Sequence, residues 1–123
     1  MAGYIKVEVD KFETQYVNTR IDARMLEEFQ KKCKERNIPM NVIIETFARQ
    51  YINNRYILDE ENILKWKGNT GKFSRLNTPI NKDVFDRFKW KVKLDEYSMK
   101  SVFSAFIEDY VKNDLILEFV IEE

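Results

Sequence analysis

The chain of 123 residues carries 21 basic and 21 acidic side chains and no histidine, so it has no net charge and no imidazole for acid–base or triad chemistry. Hydrophobic residues make up 44% of it, with only 3 Gly and 2 Pro, which argues for one packed domain or two small units sharing a core, and against disorder or a loop-rich sandwich. A single cysteine, Cys33, excludes an internal disulfide, leaves a soft-metal site short of ligands and suits a reducing compartment. No signal-peptide pattern opens the sequence and no apolar run reaches the length of a membrane span, so a cytoplasmic protein with no cofactor and no membrane association is expected.

Residues 4–9 alternate and are β-branched, which predicts a strand. Tyr16–Ile21 predicts a second, with Val17, Thr19 and Ile21 on one face and Tyr16, Asn18 and Arg20 on the other. Asp22 stands at an N-cap position, and Met25, Leu26, Phe29 and Cys33 form the stripe of an amphipathic helix over 23–35. Asn37-Ile38-Pro39 breaks it, and Pro39 suits the first turn of a second helix over roughly 40–54. The wide apolar face of that helix (Met40, Ile43, Ile44, Phe47, Ala48, Tyr51 and Ile52) makes it the more buried of the two. Ile63-Leu64-Lys65-Trp66-Lys67 alternates like a strand, and Gly68-Asn69-Thr70-Gly71 is a turn signal.

The pattern then returns. Arg75–Ile80 predicts a strand with Leu76, Thr78 and Ile80 inward and Arg75, Asn77 and Pro79 outward. Asn81 takes the N-cap place of Asp22, and Val84, Phe85, Phe88 and Val92 take the places of Met25, Leu26, Phe29 and Cys33. Ser98 stands where Pro39 stood and can cap. Met99, Val102, Phe103, Phe106, Ile107, Tyr110 and Val111 copy the face of the second helix, and 115–121 alternates enough for a last strand. An offset of 59 holds without a gap from Thr14/Phe73 to Asn54/Asn113, and ten of these 41 pairs are identical, Asn18/Asn77, Thr19/Thr78, Phe47/Phe106 and Tyr51/Tyr110 among them. An internal duplication is the simplest account. The two repeats divide the chain at 1–59 and 60–123.

Strand, helix, short turn and helix in about forty residues resemble the ribbon–helix–helix family of MetJ/Arc-type DNA-binding proteins. The resemblance covers 14–54 and 73–113. It implies an α+β fold in which two ribbon–helix–helix units in one chain form an intramolecular pseudo-dimer, with extra strands at 4–9, 63–67 and 115–121. It also implies an antiparallel ribbon, one strand from each unit, that enters the major groove of double-stranded DNA. Carried over, the base-contacting positions are Tyr16, Asn18 and Arg20 in one strand and Arg75 and Asn77 in the other, with Pro79 able to donate nothing. Asn suits adenine and Arg suits guanine. The N-terminus of each second helix would hold a phosphate through free backbone N–H groups, at Met40 and Asn41 and at Ser98, Met99 and Lys100. The turn before that helix often has a small residue in the family; Asn37 and Glu96 stand there. If the pseudo-twofold axis passes between the two Asn residues, Asn18 faces Asn77, Tyr16 faces Pro79 and Arg20 faces Arg75, a like-charged pair that an anionic partner would relieve. The ribbon is asymmetric, so an asymmetric DNA site is expected.

Charge along the chain is uneven: Lys65–Lys93 carries +7 and Glu108–Glu123 carries −5. Two solvated faces of opposite sign account for this. Lys89, Lys91 and Lys93 read as a solvated helix face, Trp90 as packing under an added strand, Trp66 and Tyr4 as packing residues of such strands, and Cys33 as a small buried hydrophobe. Glu27-Glu28 and Glu122-Glu123 imply no cleft, so no enzyme is expected. The expected function is that of a prokaryotic or phage transcriptional repressor or plasmid-maintenance factor, acting as a monomeric pseudo-dimer or a higher homo-oligomer on DNA. The alternative is a protein-binding module, antitoxin-like or an assembly or inhibitor protein, on the same scaffold.

Overall fold

The structure is a computed structural model that describes residues 13–68 and 71–113. The strands expected at 4–9 and 115–121, with Tyr4, and the centre of the turn at 69–70 lie outside the described residues. Among the described residues the fold is mixed α+β: one two-stranded antiparallel sheet and five helices. In chain order these are β1 (Thr14–Asp22), α1 (Ala23–Glu35), α2 (Met40–Ile52), α3 (Glu60–Lys65), β2 (Phe73–Asn81), α4 (Lys82–Leu94) and α5 (Met99–Lys112). No described helix is long and apolar enough to cross a membrane.

The helices start and stop where local chemistry directs. Asp22 accepts from the Met25 amide at 3.0 Å, and Asn81 accepts from Asp83 and Val84 at 2.9 and 3.2 Å. Each such cap contributes about 1 kcal/mol. Three helices end alike. After α1, Ile38 N–H donates to Cys33 and Asn37 N–H to Lys34; after α4, Tyr97 donates to Val92 and Glu96 to Lys93; after α2, Arg55 donates to Gln50 and Asn54 to Tyr51. This pattern requires a left-handed residue, supplied by Asn37 (φ 55°), Glu96 (φ 63°) and Asn54 (φ 56°). Asn tolerates that conformation; Glu96 holds it at a cost of about 1–2 kcal/mol.

β1 and β2 pair over their full length, with Asn18 opposite Asn77 at the middle, Arg20 opposite Arg75 and Tyr16 opposite Pro79. The inner face of the ribbon, Val17, Ile21, Leu76, Thr78 and Ile80, is buried on the helices. At the centre of the core the rings of Phe47 and Phe106 stack at 4.1 Å with an 11° tilt. Phe29 meets Tyr110, and Phe88 meets Tyr51, each at 5.3 Å. Such ring pairs add roughly 0.5–1.5 kcal/mol each beyond burial. The 59-residue offset carries β1, α1 and the start of α2 onto β2, α4 and the start of α5, and it carries these ring pairs onto one another.

Some expectations need correction. Residues 63–67 are not a strand: α3 covers Glu60–Lys65, with Trp66 as its C-cap. Asp59 caps it by accepting from Glu61 N–H at 3.1 Å, and Glu60 and Glu61 lie at the positive end of the helix dipole. Ile63 and Trp66, three apart, turn one face inward, while Leu64 is exposed. Trp66 therefore packs from a helix end, donating to Glu108 Oε2 at 2.8 Å. Of the added strands expected to cover Trp90, the one at 63–67 is α3 instead and the other two lie outside the described residues; Trp90 is 62% exposed. α2 ends at Ile52, and Pro39 is its N-cap rather than its first helical residue, its carbonyl accepting from Val42 at 3.1 Å.

Candidate nucleic-acid interface

β alternation sends Tyr16, Asn18, Arg20, Arg75 and Asn77 to the outer face of the ribbon, and all five are exposed. Tyr16 keeps 55% of its surface in solvent, unusual for an aromatic with no outer layer among the described residues. Pro79, half-buried, lies across from it. A two-stranded ribbon has two open edges, so half of its N–H groups face outward and a proline is accommodated.

The two ends of this face differ. At one end Asn18, Thr19, Arg20, Arg75 and Lys100 line an open concavity of about 340 Å³. Lys100 reaches it from the first turn of α5, its ammonium held 4.9 Å from the centre of the Phe73 ring. Among the described residues no carboxylate pairs with Arg20, Arg75 or Lys100. At the other end the offset puts Asn41 in the place of Lys100 and Glu45 in the place of Ser104. Glu45 Oε1 accepts from the Asn81 amide at 2.6 Å, and its other oxygen lies 3.5 Å from Arg49. That end carries an acidic side chain tied to the ribbon, where the first carries three cations.

The two helix starts expected to hold phosphate also differ. No side chain caps α2, so the amides of Met40 and Asn41 have no partner within the helix. At α5 the Ser98 hydroxyl accepts from Ser101 N–H at 3.1 Å and is hydrogen-bonded to the Ser101 hydroxyl at 2.8 Å, which leaves Met99 and Lys100 N–H open. Of the ten residues expected to touch DNA, the structure gathers Asn18, Arg20, Arg75 and Lys100 around one concavity; Tyr16, Asn77, Met40, Asn41, Ser98 and Met99 do not line it. Thr19 joins the lining although strand alternation puts it on the inner face. Sequence reasoning took Lys100 for its backbone and missed its side chain; only the pairing of α5 with β1 brings that chain to the ribbon.

The basic stretch Lys65–Lys93 is not one patch. Arg87 pairs with Asp83 at 3.2 Å, Lys82 with Asp86 and Glu13 at 4.0 and 3.9 Å, and Lys65 with Glu108 at 3.0 Å. Lys91 is not simply solvated: it lies 3.3 Å from Asp95 and 5.3 Å from the Tyr51 ring centre, whereas Lys89 and Lys93 are exposed as expected. Glu108, only 6% exposed, gathers Lys65, Lys112 and the Trp66 indole and pins α3 to α5. Burial pushes the neighbouring Asp109 carboxyl up, although the Tyr56 hydroxyl bonded to it at 3.2 Å pulls the other way. Cys33 is buried as expected, and burial raises its thiol to about 11. No group of acidic, Cys or His side chains among the described residues is placed to hold a metal ion. Comparison with family models, curated proteins and solved structures finds no match to this chain.

Proposed function

We propose that the chain is a tandem ribbon–helix–helix protein that binds double-stranded DNA through the outer face of its two-stranded ribbon, as a prokaryotic or phage transcriptional repressor or plasmid-maintenance factor. One observation carries this reading: Asn18 and Asn77 lie opposite each other at the middle of the ribbon, flanked by the facing pair Arg20 and Arg75, all on one exposed face. A two-stranded ribbon is narrow enough for the major groove, where asparagine bonds base edges and arginines at a ribbon end reach the phosphate backbone. The facing arginines repel in the free protein, and a polyanion relieves that repulsion. The equivalence of the two halves at a 59-residue offset supports a pseudo-dimer complete in one chain. Binding of duplex DNA as a function of salt tests the proposal. Log affinity should fall linearly and steeply with log salt, by about 0.9 per phosphate contacted; no duplex binding at low salt rejects it.

A second reading, an antitoxin-like or assembly module, is favoured by a different surface. Trp90 and Leu94 adjoin on the outer side of α4, 62% and 64% exposed, where the equivalent positions of α1 hold Lys31 and Glu35. The scaffold does not require apolar residues there, and a protein partner would use them.

A further inference from the structure

We propose that Arg20, Arg75 and Lys100 form a phosphate seat at one end of the ribbon only, so that the chain is gripped on DNA by a single flank. The proposal rests on the DNA-binding reading for its polymer but not for its anion. The three cations converge on one concavity of about 340 Å³ with the polar side chains of Asn18 and Thr19, room for one phosphodiester group and its waters. Arg20 and Arg75 are held across from each other by strand register, and Lys100 is held by its contact with the Phe73 ring. No described carboxylate neutralises them, in a molecule that pairs Arg49, Lys65, Lys82, Arg87, Lys91 and Lys112 with acidic partners. Arginine forks and a lysine point charge are the usual means of binding phosphate.

The opposite end is the internal control. There the same backbone positions hold Pro79, Tyr16 and Asn41, none of them cationic, and the Glu45 carboxylate is bonded to the ribbon's Asn81 amide. A phosphate approaching that end meets no cation from these positions, and the one cation beside it, Arg49, is already paired with Glu45 at 3.5 Å. The seat is therefore one-ended, and the electrostatic part of binding is concentrated on one half of the site.

Two measurements on the full chain test this. The first titrates inorganic phosphate while following the Arg20 and Arg75 side-chain resonances. The second measures the salt dependence of random-sequence duplex binding for the wild type, Lys100→Ala, Asn41→Lys and the remote exposed lysine variant Lys93→Ala. The proposal expects phosphate to move both arginine signals in the wild type and far less in Lys100→Ala. The salt slope should fall by about 1 in Lys100→Ala, rise by about 1 in Asn41→Lys and stay put in Lys93→Ala. Duplex binding with a slope unaltered by Lys100→Ala, or altered equally by Lys93→Ala, overturns the seat and leaves the DNA reading standing. Phosphate binding at the arginines without any duplex binding at low salt supports the seat and overturns the DNA reading.

Discussion

At one end of the ribbon Arg20 lies across from Arg75 with Lys100 beside them; at the other Tyr16 lies across from Pro79, with Asn41 and Glu45 standing where the first end has Lys100 and Ser104. Both ends rest on the same interior. Phe47 stacks on Phe106, and Phe29–Tyr110 and Phe88–Tyr51 repeat at one distance. The two halves match in their central ring pairs and differ in the charge they place at the two ends of the ribbon. Packing constrains volume and shape at every buried position, whereas an exposed strand position is free to change chemistry without unfolding the protein.

The largest expected effect probes the shared part. Phe47→Ala and Phe106→Ala should each cost about 3–5 kcal/mol in urea unfolding, because each empties the same stacked pair at the centre of the core. A much smaller loss for one of them would break the equivalence of the halves. Next comes the divergent part. Arg20→Ala and Arg75→Ala should each lower duplex affinity by about 1.5–3 kcal/mol and its salt slope by about 1, while thermal unfolding of the free protein stays level or rises as the like-charged pair is removed. Loss of fold stability with intact DNA binding would contradict the role given to this end.

Glu96→Gly compares the two turns that precede α2 and α5. It should gain about 1 kcal/mol, since Glu96 is left-handed at φ 63°, whereas Asn37→Gly at φ 55° should gain only a few tenths or nothing. Equal gains would mean that the strain lies elsewhere. The smallest effect at neutral pH concerns Cys33, whose counterpart is Val92. Burial raises the thiol from 9.0 to about 11, so the folded state holds the proton more tightly than the unfolded chain. That contribution is whole below pH 9.0 and is lost as pH rises through about 11. Cys33→Val should leave stability at pH 7 almost unchanged and flatten the alkaline fall; an unaltered alkaline limb would show that another group drives it.

The two strands and the core were legible in the sequence because each is written as a period, whereas the ribbon and its register followed from the family resemblance with the axis set between Asn18 and Asn77. Val17 and Ile21 alternate with Asn18 and Arg20, and the facing pairs expected for an axis between the two asparagines are the ones observed. The caps Asp22, Asn81 and Ser98 were legible for the same local reason. α3 was not. Ile63 to Lys67 alternates over five residues, too short a window to separate a strand from a helix turn, and the deciding signals were Asp59, Glu60 and Glu61 just upstream. The charged surroundings of the ribbon were invisible for a different reason. Lys100 reaches it only because α5 crosses beneath β1, and Glu45 becomes a ligand of Asn81 only because α2 lies against β2. Buried Glu108 belongs to the same class, since its partners Lys65 and Trp66 arrive from α3 and its C-cap.

On the proposed reading, the outer face of the ribbon meets the bases. Asn18 and Asn77 stand at its middle, and their side-chain amide protons report on it directly in nitrogen-resolved NMR spectra. On addition of duplex DNA both amide pairs should shift strongly, together with the signals of Arg20 and Arg75, while the Trp90 indole stays where it was. Shifts confined to the Trp90 and Leu94 side of α4, with both asparagine amides unmoved, would contradict the account.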